Sequence, residues 1–378
     1  PGFVNAHSHL PMTLMRGYGG GCDLHTWLNQ YIFPAEARLD SRAVAAGAGL
    51  GLAEMIASGV TCVADMYMHT GTIAEQILEA GISANLSCGG VYFGAPEDFS
   101  PETCGDCRNQ AALTEEWHGA GAGQILVDAS VHGEYTSNPP LWRWMAEYAA
   151  EHRLGMHVHV SETQSEHQAS LERWGKTPIQ ALDGCGVWDC GRSLAAHCVY
   201  TTEEDWALMA EKGISCVHNP WSNLKLGSGV APIPAMMRAG VNVALGTDGM
   251  SSHNSADLFS DIKLAAVLHN GVERDPMAVN AWAALEMATV NGARALGRDT
   301  GVIAPGKTAD LILVDLSAPN LIPCHDPVED LVFSAHGSNV EMNMARGQVI
   351  YEKGSFLTLD LERVRWEVEH YALPLIFG

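Results

Sequence analysis

The sequence predicts an α/β fold, a (β/α)8 TIM-like barrel followed by a small β-sandwich module. Eight short runs rich in β-branched and apolar residues follow one another between residues 3 and 248, and helical stretches separate most of them. Runs of this kind with helices between them indicate repeated βα units and a parallel sheet. Eight such strands close a small barrel. After residue 300 the pattern changes to hairpin signals.

The barrel is predicted to occupy residues 1–300. The expected strands are 3–9, 60–67, 82–92, 125–132, 155–161, 194–200, 214–219 and 241–248. Three helices between them have clear limits, at 40–58, 141–151 and 202–212. The first has Asp40 as a possible N-cap, and the last begins with an N-cap and acidic residues in its first turn.

Residues 301–378 are predicted to form the C-terminal β module. An apolar run at 311–314 precedes runs at 340–345 and 348–351, which flank an Arg346-Gly347 turn. Such a pattern is typical of β-hairpins. The chain starts at Pro1 without methionine and almost directly on a strand, so we expect partner strands of this module to lie in a segment upstream of residue 1.

The net charge restricts the class of partner, and the cysteines indicate the cellular compartment. The net charge is −23, which disfavours phosphate backbones and anionic lipid, so we expect a small-molecule substrate and neither nucleic acid nor membrane. The ten cysteines have no short-spaced disulfide framework and no signal peptide precedes them, which indicates a cytoplasmic, reduced chain. Cys104 and Cys107 form a CxxC, but no second pair stands at zinc-ribbon spacing, so loop thiols are the favoured interpretation.

The first chemical motif is the histidine pair His7 and His9. The two residues are two apart on a predicted strand, so their rings project from the same face. Imidazole nitrogens bind metals such as zinc at about 2.0–2.1 Å. The pair is therefore a candidate half of a metal site at a strand end.

A second pair, His157 and His159, repeats this spacing on the predicted fifth strand. His159 is nearer the strand end and is the candidate ligand, whereas His157 is expected to be a hydrogen-bonded histidine in the layer below. Glu162 follows three residues later. It is either a solvated loop glutamate or a proton shuttle facing a metal-bound water, and its position directly after the ligand favours the shuttle.

His197 and Asp248 end the sixth and eighth predicted strands. His197 could be structural, but within a converging set it is better interpreted as an oxyanion-stabilising group. Asp248 could complete a metal shell of three histidines and one aspartate, act as the base for a bound water, or do both. Three neutral imidazoles and one carboxylate leave a divalent ion with a charge of about +1, which lowers the pKa of a bound water from ~15.7 to around 7.

The motifs resemble the amidohydrolase superfamily, and within it the S-adenosylhomocysteine/5′-methylthioadenosine deaminase group. The resemblance runs from residue 1 to about 355 and rests on PGFVNAHSHLPMT at 1–13, HVSET at 159–163, AAHCV at 195–199, HNP at 218–220, SNLKLG at 222–227 and LGTDG at 245–249.

The resemblance implies a metal-dependent aminohydrolase that acts on adenosine, 5′-deoxyadenosine, 5′-methylthioadenosine or S-adenosylhomocysteine. The implied ligands of one divalent metal are His7, His9, His159 and Asp248. Zinc is the usual metal, and iron(II) or manganese(II) can be held by the same ligands. Asp248 would also take the proton of the attacking water, Glu162 would protonate the purine ring, and His197 would steady the tetrahedral centre.

The resemblance also implies substrate contacts and a homo-oligomer. Glu36 falls where relatives hold the ribose hydroxyls, and His132 falls where they contact the purine. Cys88 stands where relatives that accept S-adenosylhomocysteine tend to have an arginine, and Arg108 is the only arginine soon afterwards. The alternative function is a deaminase or chlorohydrolase of the same fold that acts on another purine, a pterin or a triazine ring.

Overall fold

A computed structural model describes all residues, 1–378, and contains fourteen strands. In chain order they are β1 Phe3–His9, β2 Val60–Met66, β3 Ser83–Ser87, β4 Ile125–Val127, β5 Ala129–Gly133, β6 Met156–Val160, β7 Ser193–His197, β8 Ile214–His218, β9 Val243–Leu245, β10 Asp248–Gly249, β11 Leu311–Val314, β12 Val340–Ala345, β13 Gln348–Glu352 and β14 Ser355–Phe356.

Helices follow most of these strands, and several are single turns. They are α1 Leu24–Trp27, α2 Phe33–Glu36, α3 Ser41–Ala57, α4 Thr70–Ala80, α5 Gly105–Trp117, α6 Ala120–Gly123, α7 Pro139–His152, α8 Gln164–Trp174, α9 Pro178–Asp183, α10 Glu203–Lys212, α11 Pro220–Lys225, α12 Ile233–Arg238, α13 Leu258–Glu273, α14 Ala281–Met287, α15 Val290–Leu296, α16 Pro327–Phe333, α17 Leu361–Glu367 and α18 Leu373–Phe377. None of them combines the length and the apolar character that a bilayer-crossing helix needs.

The first ten strands form the predicted barrel. They lie in two parallel sheets of five, in the orders β10-β1-β2-β3-β4 and β5-β6-β7-β8-β9. Only Asp128 separates β4 from β5, and only Gly246 and Thr247 separate β9 from β10. Each of these two pairs is therefore one interrupted barrel strand, and the two sheets together make eight. The predicted α/β barrel fold is confirmed.

The breaks have physical causes that the strand pattern did not reveal. A Cβ on Gly246 would lie 2.5 Å from Asn219 Oδ1 and 2.8 Å from His7 Cβ, so only glycine allows this close approach of the eighth strand to β1. At the first break, Asp128 is buried and forms an ion pair with Arg192. The predicted strand 82–92 is too long, because β3 ends at Ser87 and the following chain turns through Gly89 at a φ of 65°.

The C-terminal module is a single antiparallel sheet in the order β11-β12-β13-β14. A second sheet that would complete the predicted β-sandwich stays a prediction. Asn343 in β12 fastens the module to the barrel, since its side-chain amide donates to Ile56 O at 2.9 Å and to Val60 O at 3.0 Å. After the sheet, α17 packs against α3 of the barrel. The division at about residue 300 stays a prediction.

Two buried histidines connect β8 to the helical layer. His218 Nε2 lies 3.0 Å from His269 Nε2 of α13, and both rings are about 1% exposed. Burial lowers the pKa of His218 well below its ordinary value and that of His269 to about 4. Both rings are therefore neutral in the folded state, with one N–H shared between them.

This pair predicts an acid-sensitive stability. A histidine with a depressed folded-state pKa binds fewer protons folded than unfolded, so the free energy of unfolding should fall as the pH drops from about 6.5 towards 4. Replacing His269 with Leu should make this pH slope shallower, by up to about 1.4 kcal/mol per pH unit. Urea denaturation from pH 7 to 4 measures it. His152→Leu, at an exposed position, is the control, and an unchanged slope in His269→Leu would contradict the assignment.

Candidate active site

The barrel carries a cavity of about 430 Å³ at the carboxyl ends of its strands. This is the end at which enzymes with this fold hold their functional groups. The cavity has apolar walls from the segments after β1, β2 and β3, and a polar floor. The floor residues are His9, His132, His159, Glu162, His197 and Asp248.

Four of the predicted side chains converge at the floor of this cavity. Asp248 Oδ1 lies 3.4 Å from His7 Nε2 and 3.2 Å from His9 Nε2. His9 Nε2 in turn lies 3.3 Å from His159 Nε2. The parallel pairing of Ser8 with Asp248 fixes the first and eighth strands in this register. The structure therefore brings these four residues together.

The other nitrogen of each ring is fixed from outside the cluster. His7 Nδ1 lies 2.8 Å from His157 Nε2, while His9 Nδ1 donates to Met66 O at 2.5 Å. His159 Nδ1 donates to His132 O at 2.6 Å. In the neutral form of each ring, a donated Nδ1–H leaves a lone pair on Nε2, and the Nε2 atoms of His9 and His159 both face the centre. His157 occupies the layer below, as expected.

The donor set fits a divalent metal ion. His7 Nε2 is buried and has no hydrogen-bond partner, although it points at Asp248. Burial lowers the pKa of His7 to about 4 and that of His159 well below its ordinary value, which keeps both imidazoles in the neutral form that binds metals. Burial opposes protonation of His9 too, but Asp248 outweighs it and raises the pKa to about 9, so the carboxylate attracts positive charge here.

Asp248 has an unusual backbone conformation, and two serines orient its carboxylate. Its φ is +61°, in the left-handed region that residues other than glycine seldom adopt. Its Oδ2 accepts hydrogen bonds from Ser222 Oγ at 2.5 Å and Ser252 Oγ at 2.9 Å. Oδ1 is thereby left to face the histidines. The two serines were not among the residues predicted from the sequence.

Glu162 and His197 face each other across the same floor. Glu162 Oε2 lies 3.7 Å from His197 Nε2, and both side chains are almost fully buried. Asn223 Oδ1 lies 2.8 Å from His197 Nδ1, and Ser228 Oγ donates to Glu162 Oε1 at 3.3 Å. Burial raises the pKa of Glu162, which favours its protonated form. A buried acid and a buried imidazole next to the histidine cluster can exchange protons with a bound substrate.

Glu166 positions the turn that carries Glu162. Its carboxylate accepts the backbone N–H of Ser161 at 2.8 Å and that of Glu162 at 2.7 Å. It is 7% exposed. The signal that could have identified it is the Thr163-x-x-Glu166 capping box at the start of α8.

The two predicted substrate contacts both line the cavity. Glu36 lies in α2, and Tyr67 donates its hydroxyl hydrogen to Glu36 Oε1 at 2.6 Å. His132 lies at the end of β5, with its ring centroid 4.7 Å from that of His159. Burial lowers the pKa of His132 to about 4, so its ring is neutral.

The CxxC motif is not part of the histidine cluster. Cys104 and Cys107 are buried at the start of α5, and Cys88 lines the cavity nearby. Histidine and carboxylate groups make up the clusters with metal-binding spacing, and none contains a cysteine. All ten cysteines are free thiols.

The sequence of this chain is also similar to known protein families and to characterised relatives. The model of the amidohydrolase family matches residues 1–350. A 5-methylthioadenosine/S-adenosylhomocysteine deaminase of Caldanaerobacter subterraneus subsp. tengcongensis is 42% identical over 380 residues, which cover 100% of this chain and 87% of that protein. A 5′-deoxyadenosine deaminase of Methanosphaera stadtmanae is 40% identical over 375 residues, 99% of this chain and 87% of that protein.

The fold of this chain is also similar to that of a solved structure. The crystal structure of an adenosine deaminase from Xanthomonas campestris, with bound zinc, superposes with a TM-score of 0.92 at 33% sequence identity. The match covers 99% of this chain and 85% of that one. The family match over most of the chain and the identity to relatives over its whole length lead to one conclusion: the chain belongs to the amidohydrolase family.

Proposed function

We propose that this chain is a metal-dependent aminohydrolase that deaminates an adenine nucleoside. Water adds to the amino-bearing carbon of the purine, the bond from that carbon to the amino nitrogen breaks, and the products are the inosine nucleoside and ammonia. The observation that carries the proposal is the placement of Glu162 and His197 beside the cluster of His7, His9, His159 and Asp248 on one cavity floor.

The four clustered side chains would hold one divalent cation. The fit rests on the unpartnered His7 Nε2 and on the residue types, three imidazoles and one carboxylate. When bound, such a cation supplies Lewis-acid chemistry that makes water a nucleophile near neutral pH. We infer zinc, because the solved relative contains it. Iron(II) and manganese(II) suit the same donors.

The chain's carboxylates would move the protons. Asp248 takes the first proton of the attacking water and passes it to the amino nitrogen, which leaves as ammonia. Protonated Glu162 donates to the ring nitrogen next to the attacked carbon and regains a proton from the new hydroxyl as the carbonyl forms. His197 hydrogen-bonds the oxygen at the tetrahedral stage, and stabilisation of such developing charge is usually a large contribution to catalysis.

Glu36 and His132 would select a nucleoside. A carboxylate bound to the Tyr67 hydroxyl can accept hydrogen bonds from two ribose hydroxyls, whereas a free base offers none. The neutral His132 ring lies beside His159, close enough to the floor to contact a purine. The names of the two deaminase relatives, which give adenine nucleosides as the substrates, support this substrate class.

We infer a cytoplasmic location for the chain from its cysteines. All ten are free thiols, as expected in a reducing compartment. The homo-oligomer expected from the resemblance stays a prediction.

A substrate panel tests the proposed function. Purified protein loaded with zinc should release ammonia from adenosine, 5′-deoxyadenosine or 5′-methylthioadenosine, with the ultraviolet change from adenine to hypoxanthine. Glu36→Ala should lower kcat/KM for the nucleosides by about 10- to 100-fold, because hydrogen bonds to a charged group contribute roughly 1.5–3 kcal/mol. Turnover of guanine, a pterin or a triazine with no effect of Glu36→Ala would favour the alternative function.

Replacement of Glu162 with Gln tests the proton shuttle. The amide keeps the shape but cannot deliver a proton, so kcat should fall by roughly 10²–10⁴-fold while the metal content stays the same. The matched control is Glu172→Gln. Glu172 is an exposed glutamate of α8, the helix that follows Glu162, and its replacement should leave kcat unchanged. A fall of less than tenfold would assign the shuttle to another group.

Replacement of His157 with Leu tests the metal cluster without reference to activity. Loss of the ring that fixes His7 Nδ1 should weaken zinc binding by about 10- to 100-fold, measured by competition with a chelator. His269→Leu removes an equally buried histidine that also bonds a second histidine. It should leave the zinc affinity unchanged, and equal losses in both variants would point to general destabilisation.

A further inference from the structure

Outside the histidines of its floor, the cavity contains no positively charged side chain. Its twenty-five lining residues include neither lysine nor arginine. Four of them are carboxylates, and Glu162 and Asp248 belong to the floor while Glu36 lies at the Tyr67 hydroxyl. The fourth, Asp106, has no part in the chemistry proposed above.

Asp106 lies in α5, in the part of the cavity wall that also contains the loop after β3. The loop after β3 passes beside His132 at Gly89, and its next residues include Val91 and Phe93, which line the outer cavity. Asp106 Oδ2 accepts the backbone N–H of Val91 at 2.8 Å, and Oδ1 accepts a longer bond of 3.4 Å from Asn109. The carboxylate therefore supports this loop and also faces the cavity.

The rest of this outer wall is apolar. Met68, Phe33 and Phe93 are 39%, 43% and 79% exposed at the mouth, and all three line the cavity. A purine on the floor with its ribose at Glu36 would direct its 5′ substituent along this wall. The substituent would then meet apolar side chains and one carboxylate.

Arg108, the arginine nearest to Asp106 in sequence, does not offset the negative charge of this wall. Arg108 donates to the carbonyls of Glu102 at 3.0 Å and Thr103 at 3.3 Å and does not line the cavity. The whole chain is also acidic, with a net charge of −23. An anionic 5′ group would lose water and find no partner of opposite charge, a loss that separates substrates strongly.

We propose that Asp106 selects substrates by the charge of the 5′ substituent. Resting on the proposed function, this inference states that neutral and cationic 5′ groups are accepted and anionic ones are refused. The substrate class becomes 5′-deoxyadenosine, 5′-alkylthioadenosines, adenosine and 5′-amino-5′-deoxyadenosine. A 5′-carboxylate and a 5′-phosphate lie outside it.

The experiment compares compact substrates that differ in 5′ charge. The probes are 5′-amino-5′-deoxyadenosine, 5′-deoxyadenosine, adenosine-5′-carboxylate and adenosine 5′-monophosphate, and the readout is kcat/KM on the zinc-loaded full chain. The wild-type protein should favour the ammonium and neutral probes over the carboxylate by about tenfold or more, since one unit charge near a protein surface changes binding by at least this factor. Added salt should reduce the ratio.

Substitutions at Asp106 test whether this residue causes the preference for neutral over anionic probes. Asp106→Asn keeps an oxygen that can accept the Val91 N–H but removes the charge, so the neutral-to-carboxylate ratio should fall at least about threefold. Asp106→Glu keeps the charge and should keep the preference. Asp98→Asn makes the same charge change at an exposed position of the same loop, outside the cavity lining, and should leave the ratio as in the wild type.

The outcomes separate the two proposals. Turnover of neutral and anionic probes at similar rates would overturn the charge selection and leave the deaminase function standing. An unchanged ratio in Asp106→Asn would also overturn it, because the ratio is measured within one variant and does not depend on how much of it folds. Absence of turnover for every adenine nucleoside would overturn the proposed function and this inference with it.

Discussion

The register of the parallel strands is the constraint on which the site depends. β1 pairs with β10 so that Ser8 lies opposite Asp248, and β6 pairs with β7 so that Val160 lies opposite His197. Because side chains alternate along a strand, a shift of one residue would turn each histidine away from the centre. Closure of the barrel then brings groups more than two hundred residues apart in sequence within 3.2–3.4 Å.

Bringing so many polar groups into the interior requires partners for each of them. The structure supplies these from a surrounding layer: His157 for His7, the Met66 carbonyl for His9, and Ser222 with Ser252 for Asp248. Unpaired buried polar atoms cost roughly 1–3 kcal/mol each, so this layer both orients the site and limits its cost in stability. His7 Nε2, which has no hydrogen-bond partner, points into the cluster.

Much of this arrangement could be predicted from the sequence. The remaining features could not, for physical reasons. β1 was predicted to the residue, because its hydrophobic pattern and the His7-Ser8-His9 spacing agree. The breaks of the fourth and eighth strands escaped, since they depend on packing of Asp128 and Gly246 against distant residues. Ser222 and Ser252 escaped because an isolated serine carries no periodic signal that pairs its hydroxyl with a distant carboxylate. The Thr163-x-x-Glu166 capping box is a local signal, but the bonds of Glu166 to the turn of Glu162 depend on the fold. Asp106 escaped because its role depends on the absence of lysine and arginine from a cavity that sequence cannot outline.

The most direct test of the account is X-ray absorption spectroscopy of the zinc-loaded protein, together with its metal content. The account predicts one zinc per chain with nitrogen and oxygen neighbours at about 2.0–2.2 Å, as expected for three histidines and an aspartate. It also predicts loss of this signal when His7 and His9 are both replaced with Ala. Sulfur neighbours at about 2.3 Å would contradict it, because they would place the metal at the cysteines near Cys88 and Cys107 instead.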